Sequence, residues 1–189
     1  EKMCGLQFTF ADISEAHDAI GLTATSGVII TIPQRDGTRL DYELDGKTAF
    51  IDQSLVAENQ IGRLNFTMMH EAAHQLFWML YPEEYEAQTP RCLFRMADEH
   101  TQYPVLNWEE WQTNVLTSYL LLPKELVYRH MADVGLKDGV SVLNRIYARK
   151  DYERFSEAAK RLGVSKTALT IRLSQLGLVG MICMTRMHW

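Results

Sequence analysis

The sequence predicts an α+β protein that contains a small three-stranded antiparallel sheet, one long amphipathic helix and a C-terminal helical bundle. Two turn pairs, Asp36-Gly37 and Asp45-Gly46, separate alternating and β-branched runs within residues 27–52, a pattern typical of tight hairpins. Apolar residues then recur with helical spacing over residues 64–80 and again after residue 108. A chain of 189 residues is long enough for one compact unit and too short for two full domains.

Along the chain, residues 13–20 predict a short helix that ends at Gly21, and residues 27–52 predict the three strands. Residues 83–107 contain two prolines and have no regular period, which indicates a loop. One helix is predicted from Asn59 onward, with its apolar stripe over residues 64–80, and it ends at Pro82. Further helices are predicted over residues 108–122 and 124–135, ending at Pro123 and Gly135. Two or three shorter helices are predicted up to Leu176. We therefore divide the chain into a core of residues 1–135 and a C-terminal helical segment of residues 136–189 packed on it.

The composition narrows the class of protein. A formal net charge of -5 argues against a protein that mainly coats nucleic acid, which needs an excess of clustered Lys and Arg. The three cysteines, Cys4, Cys92 and Cys183, form no CxxC pair, so no disulfide framework or cysteine zinc site is indicated. No apolar run approaches the roughly 20 residues that cross a bilayer. We expect a cytoplasmic protein that does not bind membranes.

The long helix carries the strongest chemical signal, the sequence His70-Glu71-Ala72-Ala73-His74. Two histidines four residues apart project from the same face of a helix. In the HExxH motif, two neutral imidazoles bind zinc and the glutamate accepts a proton from water. The alternative is that both are ordinary histidines bonded to backbone carbonyls, but burying them beside a carboxylate on an apolar helix is costly without a cation. We therefore predict His70 and His74 as metal ligands and Glu71 as the general base.

A catalytic zinc site needs a third protein ligand besides the two histidines. The residues after His74, "QLFWML", lack the third histidine of metzincins, which leaves a carboxylate from a later segment. Glu109 and Glu110 begin the helix at residue 108, and the acidic and histidine residues 98–100 lie in the loop before it. The residues alone leave these candidates open.

Two segments together resemble the ImmA/IrrE family of metallopeptidases. "LNFTMMHEAAHQLF" is similar to that family's R-F-T-x-x-H-E-x-x-H helix, and "EWQTNVLTSYLLLP" is similar to its E-x-x-A-N-x-F-A-x-x-L-L-M-P motif. The resemblance implies a minimal zincin-like domain in which Glu110, four residues before Asn114, is the third metal ligand. Thr113, Leu116 and Thr117 depart from the family pattern, and we interpret these departures as changes of packing. None of them removes a catalytic group.

The C-terminal segment has the sequence pattern of a helix-turn-helix. In residues 155–179, Gly163 marks the turn, Ser165 caps the second helix, and Lys166 and Arg172 are the basic residues expected near phosphates. Helix pairs of this kind also close the ImmA/IrrE catalytic domain, so we favour a scaffold role and consider DNA binding unlikely. The Met-rich end, residues 181–189, is predicted as a last strand, a partner surface or a tail, and not as a metal site through His188.

The leading hypothesis is a zinc endopeptidase of the ImmA/IrrE type. The resemblance implies that its substrate is a helix-turn-helix transcriptional repressor. The alternative is a DNA- or protein-binding regulatory module with a structural or vestigial metal site, which an intact Glu71 argues against. A hydrolase of a non-peptide bond is a third reading. Zn²⁺ is the expected ion, although the same ligands accept Mn²⁺ or iron. His100 and Tyr103 could donate to a transition-state oxyanion, but we favour ordinary loop and packing roles for them.

Overall fold

The computed structural model describes residues 5–33, 36–85, 92–96 and 108–181. Within these residues it contains small sheets and six α-helices, which confirms the predicted α+β class. The strands are β1 (Gln7–Ala11), β2 (Ala19–Ala24), β3 (Val28–Pro33), β4 (Arg39–Leu44), β5 (Thr48–Asp52), β6 (Cys92–Met96), β7 (Val140–Val142) and β8 (Val179–Met181). The helices are α1 (Ile61–Leu80), α2 (Pro82–Tyr85), α3 (Trp108–Leu121), α4 (Lys124–Asp133), α5 (Arg149–Arg161) and α6 (Lys166–Gln175).

The chain divides into two compact units, Glu1–Thr117 and Ser118–Trp189. The boundary between them falls inside α3. The division that we predicted from the sequence, after residue 135, stays a prediction. No helix in the described ranges is long and apolar enough to cross a membrane.

The main sheet of the first unit has four strands in the order β1-β5-β2-β6. β1 runs parallel to β5, whereas β2 is antiparallel to both β5 and β6. A separate sheet consists of β3 and β4, paired antiparallel from Val28↔Leu44 to Pro33↔Arg39. The buried residues that join the hairpin to the main sheet include Leu22, Ile30, Ile32, Leu44 and Phe50.

The predicted three-stranded meander is wrong in its third strand. β3 and β4 form the expected hairpin, but β5 leaves it and becomes an inner strand between β1 and β2. In the turn between β4 and β5, Asp45 Oδ1 accepts hydrogen bonds from Lys47 N at 2.8 Å and Thr48 N at 2.7 Å. Residues 49–52 of β5 are all buried, and an inner position covers both faces and both edges of such a strand.

The predicted helix over residues 13–20 is also wrong. Residues 14–17 form a turn, and β2 begins at Ala19. The buried carboxylate of Asp52 holds the turn: its Oδ2 accepts from Ile13 N at 3.1 Å, and its Oδ1 lies 3.0 Å from His17 Nδ1. His17 has a φ of 51°, which an α-helix does not allow. Long-range pairing of β2 with β5 and β6 therefore overrides the local helix propensity.

The long helix is confirmed as α1, Ile61–Leu80, and it packs against β2 and β5. Its buried residues include Ala73 and Trp78 together with the ionisable residues of the motif. Tyr81 N donates to Phe77 O at the C-terminal end, directly before Pro82. The predicted loop of residues 83–107 contains a strand, β6, that we did not predict.

The second unit is organised around α4, α5 and α6, in agreement with the helices predicted for residues 124–135 and beyond. Its core includes Met131, Phe155, Ala158, Leu169 and Leu173. α5 and α6 are joined by a turn at Gly163, and Ser165 Oγ accepts from Ala168 N at 3.1 Å. The predicted arrangement of two helices joined by a turn is therefore present. The strands β7 and β8 pair in parallel in the same unit.

Candidate metal centre

His70 and His74 lie one turn apart on α1, and both are buried, with 1% of each residue exposed. Their Nε2 atoms are 3.1 Å apart, so the helix directs both nitrogens to one point, as the four-residue spacing predicts. The rings meet edge to face with centroids 4.8 Å apart. Two buried imidazoles therefore offer ring nitrogens to the same small volume.

Glu110, the third residue of α3, completes this group. Its Oε2 lies 3.2 Å from His70 Nε2, and its Oε1 lies 3.1 Å from His74 Nε2. Each carboxylate oxygen therefore faces one histidine. The three side chains form a group that could hold a metal ion.

The donor set fits zinc in chemistry and in spacing. Two neutral nitrogens and one carboxylate oxygen are the ligands typical of a catalytic zinc site. Ligands about 2.0–2.1 Å from a tetrahedral ion lie about 3.3 Å from one another. The two Nε2 atoms lie 3.1 Å apart, and each lies 3.1 or 3.2 Å from the nearer oxygen of Glu110, which is close to this value. The donors are therefore close enough together to share one ion once both Nε2 atoms carry no proton.

Glu109, the alternative third ligand, occupies a different place beside His74. Its Oε1 accepts a hydrogen bond from Trp78 Nε1 at 3.3 Å and lies 3.9 Å from His74 Nδ1. The carboxylate is therefore on the side of the ring opposite the nitrogen that meets Glu110. This arrangement distinguishes the two neighbouring glutamates, which the sequence spacing alone could not do.

Each histidine also has a partner at its Nδ1 atom. Thr113 Oγ1 lies 3.3 Å from His74 Nδ1, a distance at which the hydroxyl can accept a hydrogen bond from the ring N–H. Thr113 is fully buried on α3, so its contact is fixed by packing. We interpreted the Thr at this position as a change of packing alone, and that interpretation was wrong, because its hydroxyl meets a predicted ligand. At His70, Arg95 Nη1 of β6 lies 2.9 Å from Nδ1.

The surroundings shift the proton equilibria of the group. Burial lowers the pKa of His70 to about 4, its hydrogen bond with Glu110 acts in the opposite direction, and the electrostatic effects of Arg95 and His74 lower this pKa further. Burial alone would raise the pKa of Glu110, but its hydrogen bonds with His70 and His74 outweigh burial and lower that pKa. At neutral pH His70 is therefore neutral and Glu110 is anionic, which are the states that bind a metal cation.

Glu71, the predicted general base, is buried on the side of α1 that packs on β2, with 1% of the residue exposed. Its carboxylate reaches the backbone of Gly21, so closely that a methyl group there would overlap Glu71 Oε1. The carboxylate also influences Cys92 on β6: burial, and after it the charge of Glu71, raises the pKa of the Cys92 thiol to about 11. Sequence reasoning assigned Gly21 to the end of a helix and missed this contact.

A second group of possible metal ligands consists of Asp12, His17 and Asp52. Asp52 already has structural partners, because its oxygens accept from Ile13 N and Ser54 N in addition to facing His17. These bonds tie the turn before β2 to the end of β5. We assign this group a structural role in the sheet.

The two basic residues expected near phosphates differ in exposure. Lys166 is exposed on α6, with its Nζ 5.4 Å from the centre of the Tyr152 ring. Arg172 is only 3% exposed, and its Nε donates to Leu122 O at 2.9 Å. Its guanidinium also stacks on Tyr119, 4.1 Å from the ring centre. The prediction that Arg172 would be available to a phosphate is therefore wrong, and the residue has a structural role in the second unit.

Several residues considered from the sequence lie outside the described ranges. They are Asp98, Glu99, His100, Tyr103 and His188.

A comparison with known protein families found no match for this sequence, and a search of the curated proteins found none. The resemblance to the ImmA/IrrE family therefore stays a prediction based on the two motifs.

Proposed function

We propose that this protein is a zinc-dependent endopeptidase of the ImmA/IrrE type with a minimal zincin-like fold. The observation that carries the proposal is the position of Glu110, whose two oxygens lie 3.2 and 3.1 Å from the Nε2 atoms of His70 and His74. A glutamate from a separate helix thus converges on the two buried histidines of an HExxH motif, and a shared metal ion accounts for this convergence together with the burial of both rings. Manganese is the alternative ion for the same donors.

His70, His74 and Glu110 would hold the zinc ion, and Thr113 would orient His74 by accepting from its Nδ1–H. When bound, zinc supplies Lewis-acid chemistry, because it polarises a peptide carbonyl and makes a coordinated water more acidic. The two imidazoles and the single carboxylate leave a net positive charge at the centre, which favours the developing negative charge of a peptide transition state.

Glu71 is the residue to which we assign proton transfer. As the base, its carboxylate takes the proton of the attacking water while the water oxygen bonds to the carbonyl carbon. The same proton is then delivered to the amide nitrogen as the carbon–nitrogen bond breaks, so that an amine and a carboxylic acid leave. The burial of Glu71 against Gly21 keeps the carboxylate in one position and limits competing contact with bulk water.

The substrate class comes from the resemblance described above. We propose a helix-turn-helix transcriptional repressor in the cytoplasm, whose cleavage would release the genes that it represses. An intact carboxylate at position 71 supports an enzyme over a purely structural metal site, because a structural ion needs no base. The buried position of Arg172 weakens the competing proposal of a DNA-binding module.

The proposal is tested by measuring metal content and cleavage together. Purified wild type, Glu71→Gln and His74→Gln are analysed for zinc by mass spectrometry and incubated with candidate repressors encoded beside the gene. We expect about one ion per chain and cleavage for wild type, one ion without cleavage for Glu71→Gln, and neither for His74→Gln. If metal-replete wild type binds no ion, or if Glu71→Gln cleaves as fast as wild type, the proposed function is wrong.

A further inference from the structure

The two histidines of the candidate metal centre differ at the nitrogen that faces away from Glu110. His74 Nδ1 meets the hydroxyl of Thr113 at 3.3 Å, and a hydroxyl can accept a hydrogen bond. His70 Nδ1 meets Nη1 of Arg95 at 2.9 Å, and a guanidinium can only donate. The surroundings therefore require Nδ1 of His70 to accept, whereas Nδ1 of His74 can donate to its partner.

The contact with Arg95 fixes where the proton of His70 resides. A neutral imidazole carries one N–H, so a ring that accepts at Nδ1 has its proton on Nε2. In this form Nε2–H donates to Glu110 Oε2, 3.2 Å away. A metal ion needs the lone pair of Nε2, and metal-bound histidines usually donate their other N–H to an acceptor. His74 meets this requirement through Thr113, whereas His70 does not while Arg95 stays in place.

We propose that Arg95 holds His70 in the tautomer that cannot bind a metal ion, and that the guanidinium must leave Nδ1 when an ion binds. This inference rests on the proposed function, because it takes His70 as a ligand of the ion. Arg95 thus acts against metal binding, and Thr113 acts in favour of it. Both are positioning residues that act through a histidine.

The position of the Arg95 side chain also supports a role that opposes metal binding at His70. β6 pairs with β2, with Arg95 opposite Gly21, and the guanidinium lies 5.0 Å from the centre of the Phe66 ring on α1. This cation–π contact and the bond to His70 hold the side chain on α1 from two sides. A divalent ion at His70 would also repel the nearby guanidinium, so charge and tautomer oppose metal binding in the same direction.

The test is the affinity of metal-free protein for Zn²⁺, measured by competition with a chromophoric chelator. Arg95→Met removes the charge and the donor, Arg95→Lys keeps both, and Thr113→Val removes the acceptor of His74 at nearly constant volume. We expect Arg95→Met to bind Zn²⁺ roughly 10-fold to 100-fold more tightly than wild type and Thr113→Val to bind it more weakly by a similar factor, the range typical of partners of metal-bound histidines. Arg95→Lys should stay near wild type.

A second measurement determines which ring nitrogen of His70 carries the proton. In metal-free wild type, nitrogen-15 NMR of the imidazoles should show His70 with its proton on Nε2, and in Arg95→Met the two tautomers should mix. His70→Asn identifies the signals. Thermal unfolding of each variant checks its fold, and Arg95→Gln serves as the neutral variant if Arg95→Met does not fold.

The outcomes separate this inference from the proposed function. If Arg95→Met binds Zn²⁺ no more tightly than wild type while His74→Gln loses the ion, the role of Arg95 is wrong and the metal centre stands. If neither wild type nor Arg95→Met binds Zn²⁺, both proposals are overturned. Tighter binding by Arg95→Met, together with mixed tautomers in its metal-free form, supports the inference.

Discussion

The carboxylate of Glu71 on α1 packs against the backbone of Gly21 on β2. A methyl group at position 21 would overlap Glu71 Oε1 and would lie 2.8 Å from Thr67 Cγ2. Both neighbours belong to the helix that carries His70 and His74, so the absence of a side chain at Gly21 allows this helix to approach the sheet closely. One glycine in a strand thus determines where the predicted general base can sit.

Gly21→Ala should therefore destabilise the protein and impair catalysis. The added methyl group forces α1 or Glu71 to move in a buried region, at a cost of about 1–3 kcal/mol. Denaturant unfolding measures the free energy of unfolding, and cleavage of the proposed repressor substrate measures activity. Thr67→Ser removes the Cγ2 contact, so the double variant should regain part of the stability. An alanine variant as stable and active as wild type would show that α1 does not depend on this approach.

Glu110→Gln and Glu109→Gln form a matched pair, since the residues are adjacent but face different nitrogens of His74. Glu110→Gln replaces an anionic metal ligand with a neutral amide. The affinity for Zn²⁺ should fall by about 100-fold or more, which exceeds the effect typical of a group that only forms a hydrogen bond to a metal-bound histidine. Glu109→Gln keeps an oxygen that can accept from Trp78 Nε1 and should change the affinity by less than about tenfold. Chelator competition measures both. A larger loss in Glu109→Gln would reverse the ligand assignment.

The reactivity of the Cys92 thiol depends on the charge of Glu71, and measuring it does not require catalytic activity. Burial and the Glu71 carboxylate raise the pKa of this thiol to about 11, so only about one molecule in a thousand carries the thiolate at pH 8. Glu71→Gln removes the charge and should increase the rate at which Cys92 reacts with a disulfide reagent. The measurement uses a Cys4→Ser/Cys183→Ser background. An unchanged rate would mean that burial alone suppresses the thiol.

Arg172→Met should lower the stability of the second unit by about 1–3 kcal/mol, because it leaves the buried Leu122 carbonyl oxygen without its donor. The exposed Lys166 is the control, and Lys166→Gln should change stability by less than about 0.5 kcal/mol. Neither substitution should change DNA binding, because we expect the affinity of wild type for DNA to be too weak to measure in a salt series. Salt-dependent DNA binding that Lys166→Gln weakens would favour the regulatory-module alternative.

The helices were largely predictable because their evidence is local. The apolar stripe of residues 64–80 and the four-residue spacing of His70 and His74 depend only on the period of a helix, and α1 has both features. The helices before and after Pro123 were found for the same reason. The position of Glu110 next to the histidines was not readable from spacing and was expected only from the resemblance of its motif.

The sheet and the partners of the site were less predictable because they depend on contacts between distant residues. Residues 13–20 have acceptable helix propensity, but the buried Asp52 binds the backbone there from 39 positions away. β5 follows a turn pair typical of a hairpin and yet pairs with β1 and β2. Arg95 lies in a segment with no period, so nothing local indicated that it would reach His70. A glycine such as Gly21 gives no signal of what packs against it.

The candidate ligands come from two helices that are far apart in sequence, with His74 on α1 and Glu110 on α3. An ion that joins them would act as a cross-link and close the intervening chain into a loop. If the cross-link restricts the unfolded chain as a disulfide does, it contributes about 3–4 kcal/mol for a loop of this length. Loss of the ion would then remove this restraint, and chelation would lower the free energy of unfolding of the first unit by about the same amount.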